Sequence, residues 1–470
     1  MGKGCAVVLD VGKTLAKLTL WSPDGRLVDR CSRPNVPQST GAYPALDVSG
    51  IAEWLAATLA RFAKQGEIAA IIPVAHGAAA VVLTEDGSWL PPLDYEAELP
   101  ADIRAGYVAA RDPFAITGSP CLPAGLNLGA QLFWLDAIAP DRARHGRIVT
   151  WPQFWAWMLS GVAASEVSSL GSHTDLWCPA KACPSPLAQA HGWADRMAPL
   201  RRASDILGPV TEAWRTRCGL PEDCVVLCGV HDSNAALLAM RLYPQVGRRE
   251  FTVLSTGTWF VALRAAASAS DALDETRDCL INVDVFGTPI PSSRFMGGRE
   301  VELIEASAPS DTGAPDQLAR ARRLIETGGA ALPTFQRGVG PFPSAAGGWS
   351  GARPSDPADR RAAASLYLAL MSDTSLDLIG STDRLVIEGR FAQDAVFTRA
   401  LAALRPRQTI YLSQMADNVP LGALSLLYPD IGADLSLTSV APIDADLGAY
   451  AAQWHALTQS GHRVPHFAPA

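Results

Sequence analysis

Val225–Met240 reads VVLCGVHDSNAALLAM and, nine residues on, Glu250–Val261 reads EFTVLSTGTWFV. In the first piece an apolar strand, Val225 to Cys228, is broken by Gly229, and an acid, Asp232, stands where a small-residue helix starts, Ser233 to Met240. An acid is thereby held at a strand's carboxyl end. In the second piece a β-rich run, Phe251 to Leu254, turns through Ser255-Thr256-Gly257-Thr258 and leaves as the apolar run Trp259 to Leu263. Hydroxyls and a glycine in a tight turn gather backbone N–H groups and side-chain donors, as a phosphate requires. Taken alone, such an Asp is an N-cap and such a turn a simple hairpin.

A second copy argues for more. Ala6 to Leu9 reads as a strand, Asp10-Val11-Gly12-Lys13-Thr14 as a glycine turn, and Leu15 to Trp21 alternates back out. Ser22-Pro23-Asp24-Gly25 is then a turn and Arg26 to Cys31 a third strand. Strand, Gly and Thr turn, strand therefore occurs near the beginning of each half. Two such hairpins facing across a cleft would grip a nucleotide's phosphates from both sides.

LDVGKTLAKLTLW, GVHDSNAA and LSTGTW, in this order and spacing, resemble the FGGY carbohydrate kinases. The resemblance covers nearly the whole chain. His-Asp before a hydroxyl residue, followed by S-T-G-T-W, is similar to the L-fuculokinase and rhamnulokinase branch, more than to glycerol or xylulose kinases. The implied fold is α/β: a two-lobed actin-like ATPase (ribonuclease H-like) fold with a mixed sheet flanked by helices in each lobe. The implied lobes are 1–242 for sugar and 243–445 for nucleotide, with 446–470 a C-terminal tail.

Composition agrees with two lobes, since 470 residues exceed what one core supports. The net charge is 39 − 47 = −8 without a Lys/Arg cluster, which gives no footprint for nucleic acid or an anionic membrane. Nine cysteines include no C-x-x-C pair and read as reduced thiols. The apolar run Ile68 to Leu83 is interrupted by Pro73, His76 and Gly77 and is too short to span a bilayer. A cytoplasmic enzyme acting on a small-molecule sugar is expected, with a homodimer admitted beside a monomer. No G-x-x-x-x-G-K-[ST], H-E-x-x-H or G-x-S-x-G occurs.

Along the chain, Gly50 to Gln65 has helical spacing, Ile68 to Ile72 is a buried strand, and Ile148 to Ser160 reads as strand then helix closed by Gly161. Ala265 to Ala272 and Ala308 to Pro315 read as connectors, Ala362 to Ile379 as a long helix, and Arg384 to Glu388 as a strand. Gly297-Gly298-Arg299 opens a helix whose glycines could admit a phosphate. Asn418 to Leu427 resembles the helix completing the second lobe, and His455 to Ala470 reads as tail.

The resemblance implies ATP and Mg²⁺ as cofactors. Asp232 would accept the proton of a ketose hydroxyl, its charge favoured at a helix N-terminus. Gly12, Lys13 and Thr14, with Thr256, Gly257 and Thr258, would hold the β and γ phosphates, Lys13 standing where the family commonly has Thr. Asp10 would hold Mg²⁺ through water. Sugar contacts would come from His76, Asp94, His173, Asp175 and His231. Two departures stand out: Gln131 replaces a lysine, and Glu388-Gly389-Arg390-Phe391 replaces the glycine-rich adenine landmark, keeping only Gly389 and offering Arg390 as a purine stack. These departures suggest the alternative of a sugar sensor without catalysis; a separate rival is a nucleotide-driven conformational ATPase of the actin or chaperone type, which would hydrolyse ATP without sugar.

Overall fold

The computed structural model describes residues 4–39, 41–266, 273–305, 313–413, 418–432 and 435–459. The chain divides into two compact units: Met1–Gly247 with Ile281–Ile290 and Asp417–Leu435, and Arg248–Leu280 with Pro291–Ala416 and Ser436–Ala470. The connectors at 267–272 and 306–312 and the tail from 460 lie outside the described residues.

In the first unit, β1 (Cys5–Val11), β2 (Leu15–Trp21) and β3 (Leu27–Pro34) form the opening meander. Helix α1 (Val48–Phe62), strand β4 (Ile68–Ala75) and helix α2 (Trp151–Ser160) follow. Strands β5 (Ile206–Pro209), β6 (Val225–Leu227) and β7 (Val230–His231) then lead into helix α3 (Asp232–Met240). The sheet runs β5-β6-β4-β1-β2-β3, with β7 also on β4. Strands β1, β4, β6 and β7 are mutually parallel, whereas β2, β3 and β5 are antiparallel to their neighbours.

The continuous apolar reading of β1 follows from burial on both faces. Val7, Leu9 and Val11 pack into one layer with Ile51, Leu55 and Leu59 of α1 and Trp155 of α2. Ala6 and Val8 face the other, with Val74, Val230, Ala235, Ala423 and Leu424. The last two lie on the helix Val419–Ser425, so that segment completes the first unit and not the second, correcting the sequence expectation. Its Gly422 is required by close approach: a Cβ there would lie 1.7 Å from the carbonyl oxygen of Ala235.

The second unit repeats this plan. Strands β8 (Phe251–Thr256), β9 (Phe260–Ala265), β10 (Cys279–Val283) and β11 (Pro289–Phe295) precede helix α4 (Gly297–Glu305) and the long helix α5 (Pro357–Leu378), the hairpin residues Ile281–Ile290 that join β10 to β11 being grouped with the first unit. Strand β12 (Arg384–Gly389), helix α6 (Ala395–Leu404), strands β13 (Thr409–Leu412) and β14 (Thr438–Ser439) and helix α7 (Leu447–Gln459) follow. The order is β10-β11-β9-β8-β12-β13-β14, with β8, β12 and β13 parallel. Helix α7 contradicts the reading of 446–470 as a tail, because Leu447, Tyr450 and Trp454 are core residues. The Trp454 indole N–H donates to the Ala331 carbonyl at 2.8 Å. Among the described residues no helix is long and apolar enough to cross a membrane.

Candidate active site

Register places the chemistry of the first unit at one sheet edge. Val11 and His231 both align with Ala75, so the parallel strands β1, β4 and β7 release Gly12, His76 and Asp232 at the same carboxyl end. Ligands of open α/β sheets bind outside such ends.

Asp232 is the first residue of α3, with His231 in the N-cap position. Its Oδ1 accepts from the Ser233 amide at 2.6 Å and the Ser233 hydroxyl at 3.2 Å, and lies 3.2 Å from His231 Nε2. No donor reaches Oδ2 among the described residues, and with its side chain 29% exposed the carboxylate is open to a ligand. His76 is buried, and burial pushes its pKa down to about 3, helped by nearby His231 and Lys13. The imidazole is therefore neutral. Its Nδ1 accepts from Ala78 N at 3.3 Å, so Nε2 carries the hydrogen, and Nε2 has no partner. A buried donor without an acceptor is costly, and a ligand hydroxyl would satisfy it.

Other expected sugar residues are placed differently. Lys13 and Asp94, assigned above to phosphate and to sugar, form an ion pair with each other, with Glu96 3.4 Å from the ammonium. The ammonium also lies 4.9 Å from the centre of the Tyr95 ring. Lys13 is thus engaged beside His76, whose ring meets Tyr95 edge-on at 5.5 Å. Asp175 is an interior hub: Arg111 donates to it twice at 3.1 Å, Thr117 at 3.3 Å, and the Tyr107 hydroxyl also donates. With its lone pairs used and almost no exposure, it is not available to a sugar. His173 sits at φ 43° and its carbonyl accepts from Asn127 at 2.9 Å. Gln131 is equally structural, bracketing the turn after His76 through Ala80 N, Ala78 O and Gly125 O. Asp10 lies in β1, with Lys17 3.5 Å from its carboxylate. The Gly12 amide donates to Leu15 O at 3.0 Å, closing the first glycine turn, and the Thr14 side chain is exposed.

The second unit carries its own glycine notch. The Gly257 amide donates to Trp259 O at 3.0 Å, making the turn of the β8–β9 hairpin, and Thr258 is exposed on it. The Thr256 hydroxyl does not face this turn: it donates to Glu388 O at 2.5 Å and accepts from Phe391 N at 3.0 Å. It therefore ties β8 to β12 and cannot serve as a phosphate donor, a correction to the sequence reading. A Cβ at Gly298 would lie 2.3 Å from Gly257 O, and one at Gly389 2.3 Å from Thr256 O. The start of α4 is consequently packed onto the turn, and its free N–H groups are positioned with it. Arg390 is exposed and lies over its neighbour, Cζ 5.2 Å from the Phe391 ring centre.

Glu300, one turn into α4, is fully buried and receives the hydroxyl of Tyr367 on α5. Burial pushes its carboxyl up to about 7, the hydrogen bond working the other way. The folded state thus favours the protonated acid. Its stabilisation is complete below the ordinary value of 4.5 and is lost as pH rises through about 7. Glu300→Gln is expected to remove this loss, so the Tm of the variant relative to wild type rises between pH 5 and pH 8; an offset independent of pH would refute it.

The sequence reading passed over Tyr95, Ser172 and Asn234. Asn234 was detectable, since it stands three residues after His231 at a helix start, the spacing at which side chains meet. A cavity of about 420 Å³ lined by Trp89, Trp157 and Trp214 contains no carboxylate and is not this site.

The model of the C-terminal domain of the FGGY carbohydrate kinases matches residues 248–434. Among solved structures, a carbohydrate kinase from Novosphingobium aromaticivorans is similar at 46% identity and a TM-score of 0.93, over 96% of this chain and 100% of that one. A xylulose kinase from Rhodospirillum rubrum (19% identity, TM-score 0.78, 97% of this chain, 98% of that one) shares the fold. So does the Plasmodium falciparum glycerol kinase with ADP (12% identity, TM-score 0.78, 97% and 98%). No curated protein matches the chain.

Proposed function

Because the chain belongs to the FGGY carbohydrate kinase family and is thus a phosphotransferase, we propose that it transfers the γ-phosphoryl group of ATP to a hydroxyl of a ketose resembling L-fuculose or L-rhamnulose. The observation that carries this reading is the carboxylate of Asp232, with Oδ1 held by its donors and Oδ2 open, at the strand edge that also presents the donor Nε2 of His76. In this reading Oδ2 takes the acceptor proton late in a loose transition state. His76 orients a sugar hydroxyl, and the Lys13–Asp94 pair with Tyr95 lines the sugar side rather than the phosphates.

The residues present fit the two cofactors. The turn at Gly257-Thr258 with the start of α4 offers backbone donors where a Cβ would intrude, and Gly12 and Thr14 offer a second glycine turn. Among the described residues no group of three or more His, Cys, Asp or Glu could hold a metal. A single carboxylate, Asp10, suits Mg²⁺, which keeps most of its waters and takes phosphate oxygens. When bound, the ion neutralises phosphate charge.

A coupled ADP-release assay over a panel of ketoses tests the proposal. L-Fuculose or L-rhamnulose is expected to be turned over faster than D-xylulose. The sensor alternative would give sugar binding with no ADP, and release independent of sugar would mark an ATPase; either outcome ends the kinase reading. Gln131 no longer favours the sensor, because it is a buried bracket.

A further inference from the structure

We propose that Asn234 is a positioning residue for phosphoryl transfer: its side-chain amide fixes His231 as the Nε2–H tautomer, and His231 thereby holds Oδ1 of Asp232 and leaves Oδ2 for the proton. The inference deepens the reading of Asp232 as base and rests on it.

Asn234 Nδ2 lies 3.2 Å from His231 Nδ1, and His231 Nε2 lies 3.2 Å from Asp232 Oδ1 and 3.5 Å from the hydroxyl of Ser172. An ionised carboxylate only accepts, so Nε2 must donate. A neutral imidazole has one N–H, which leaves Nδ1 as an acceptor, and the only part of the Asn234 side chain that can satisfy it is the NH₂ group. His231 is 6% exposed, and burial pushes its pKa down against the pull of Asp232, in keeping with the neutral ring. Each link of the relay therefore dictates the next.

The backbone explains why these residues meet. His231 occupies the N-cap position of α3 and Asn234 the third helical position, one turn above it. Asn234 is 4% exposed and is separated from Asp232 by the imidazole, so it acts through His231 and not on substrate. Oδ1 then has three donors, the Ser233 amide, the Ser233 hydroxyl and His231, and its lone pairs are occupied. The two carboxylate oxygens become inequivalent: one is an anchor, the other the proton acceptor. Without the amide, the imidazole could adopt the Nδ1–H form and turn a lone pair onto Oδ1, displacing the carboxylate.

The test uses the full-length protein labelled with ¹⁵N-histidine, the His231 signals being assigned by their loss in His231→Gln. The wild-type long-range ¹H–¹⁵N spectrum is expected to show the Nε2–H pattern for His231; an Nδ1–H or doubly protonated ring overturns the proposal. In Asn234→Asp the new carboxylate cannot donate, so the pattern is expected to change. With it, kcat should fall about 10- to 100-fold while the KM for sugar stays within about twofold. An unchanged kcat in a variant whose tautomer has changed overturns the proposal as well. The wild-type spectrum decides the tautomer even if the variant does not fold. An active Asp232→Asn enzyme would sink the base assignment and leave the spectrum untouched, so the two failures are distinguishable.

Discussion

Asp232→Asn is expected to lower kcat about 10³-fold while sugar affinity changes by less than about twofold, the usual scale for loss of a positioned proton acceptor. The replacement is nearly isosteric. The asparagine oxygen can take over the bonds that Oδ1 accepts from the Ser233 amide and hydroxyl and from His231, so the start of α3 and the neighbouring edge should stay in place. What changes is the other arm, where an NH₂ group replaces Oδ2. It cannot receive a proton from an incoming hydroxyl. The prediction is checked by initial rates of ADP release together with calorimetric titration of sugar. Turnover at the wild-type level would remove Asp232 from the chemistry, and lost sugar binding would make it a ligand-holding residue instead.

Gly298→Ala should weaken nucleotide binding and leave sugar binding unchanged. The added Cβ would lie 2.3 Å from Gly257 O and 3.1 Å from the Thr258 Cα, both backbone atoms with no rotamer to change. Relief would require α4 to retreat, but Glu300, two residues on, is hydrogen-bonded to Tyr367 of α5 in the core. Forcing a methyl into such a contact costs about 1–3 kcal/mol, and if the turn yields, its phosphate donors are misplaced. The KM for ATP is expected to rise at least about tenfold, with a modest drop in Tm and an unchanged KM for sugar. An unaltered nucleotide KM would show that the notch does not hold phosphate.

What the sequence revealed depended on the range of the forces involved. The β1 run, the glycine turns and the start of α3 are set by neighbours within a few residues, and each was read close to its observed place. The helix expected over Gly50 to Gln65 in fact begins at Val48, because Asp47 caps it through Gly50 N at 2.9 Å. Pairings over long separations were not legible. Lys13 meets Asp94 81 residues away, and Asp175 meets Arg111 64 residues away; the sequence points both acids at sugar, Asp94 through the family resemblance and Asp175 through the polar run around His173, because neither true partner is near in the chain. Thr256 adjoins the turn, but it sits in register with Gly389 of β12, and its hydroxyl is taken up by the Glu388 carbonyl and the Phe391 amide, partners 132 and 135 residues away.

The helix Val419–Ser425 has a consequence for biogenesis. Ala423 and Leu424 fill the layer beneath Val8, Val74 and Val230, and Gly422 lets this helix touch the backbone of α3. A nascent chain that has emerged only as far as Gly247 therefore lacks a wall of its first core and must wait for nearly two hundred further residues, including most of the other unit, to leave the ribosome. Assembly of the two units is interlocked by the order of synthesis, and a fragment cut at the apparent boundary would expose the apolar face on which this helix rests.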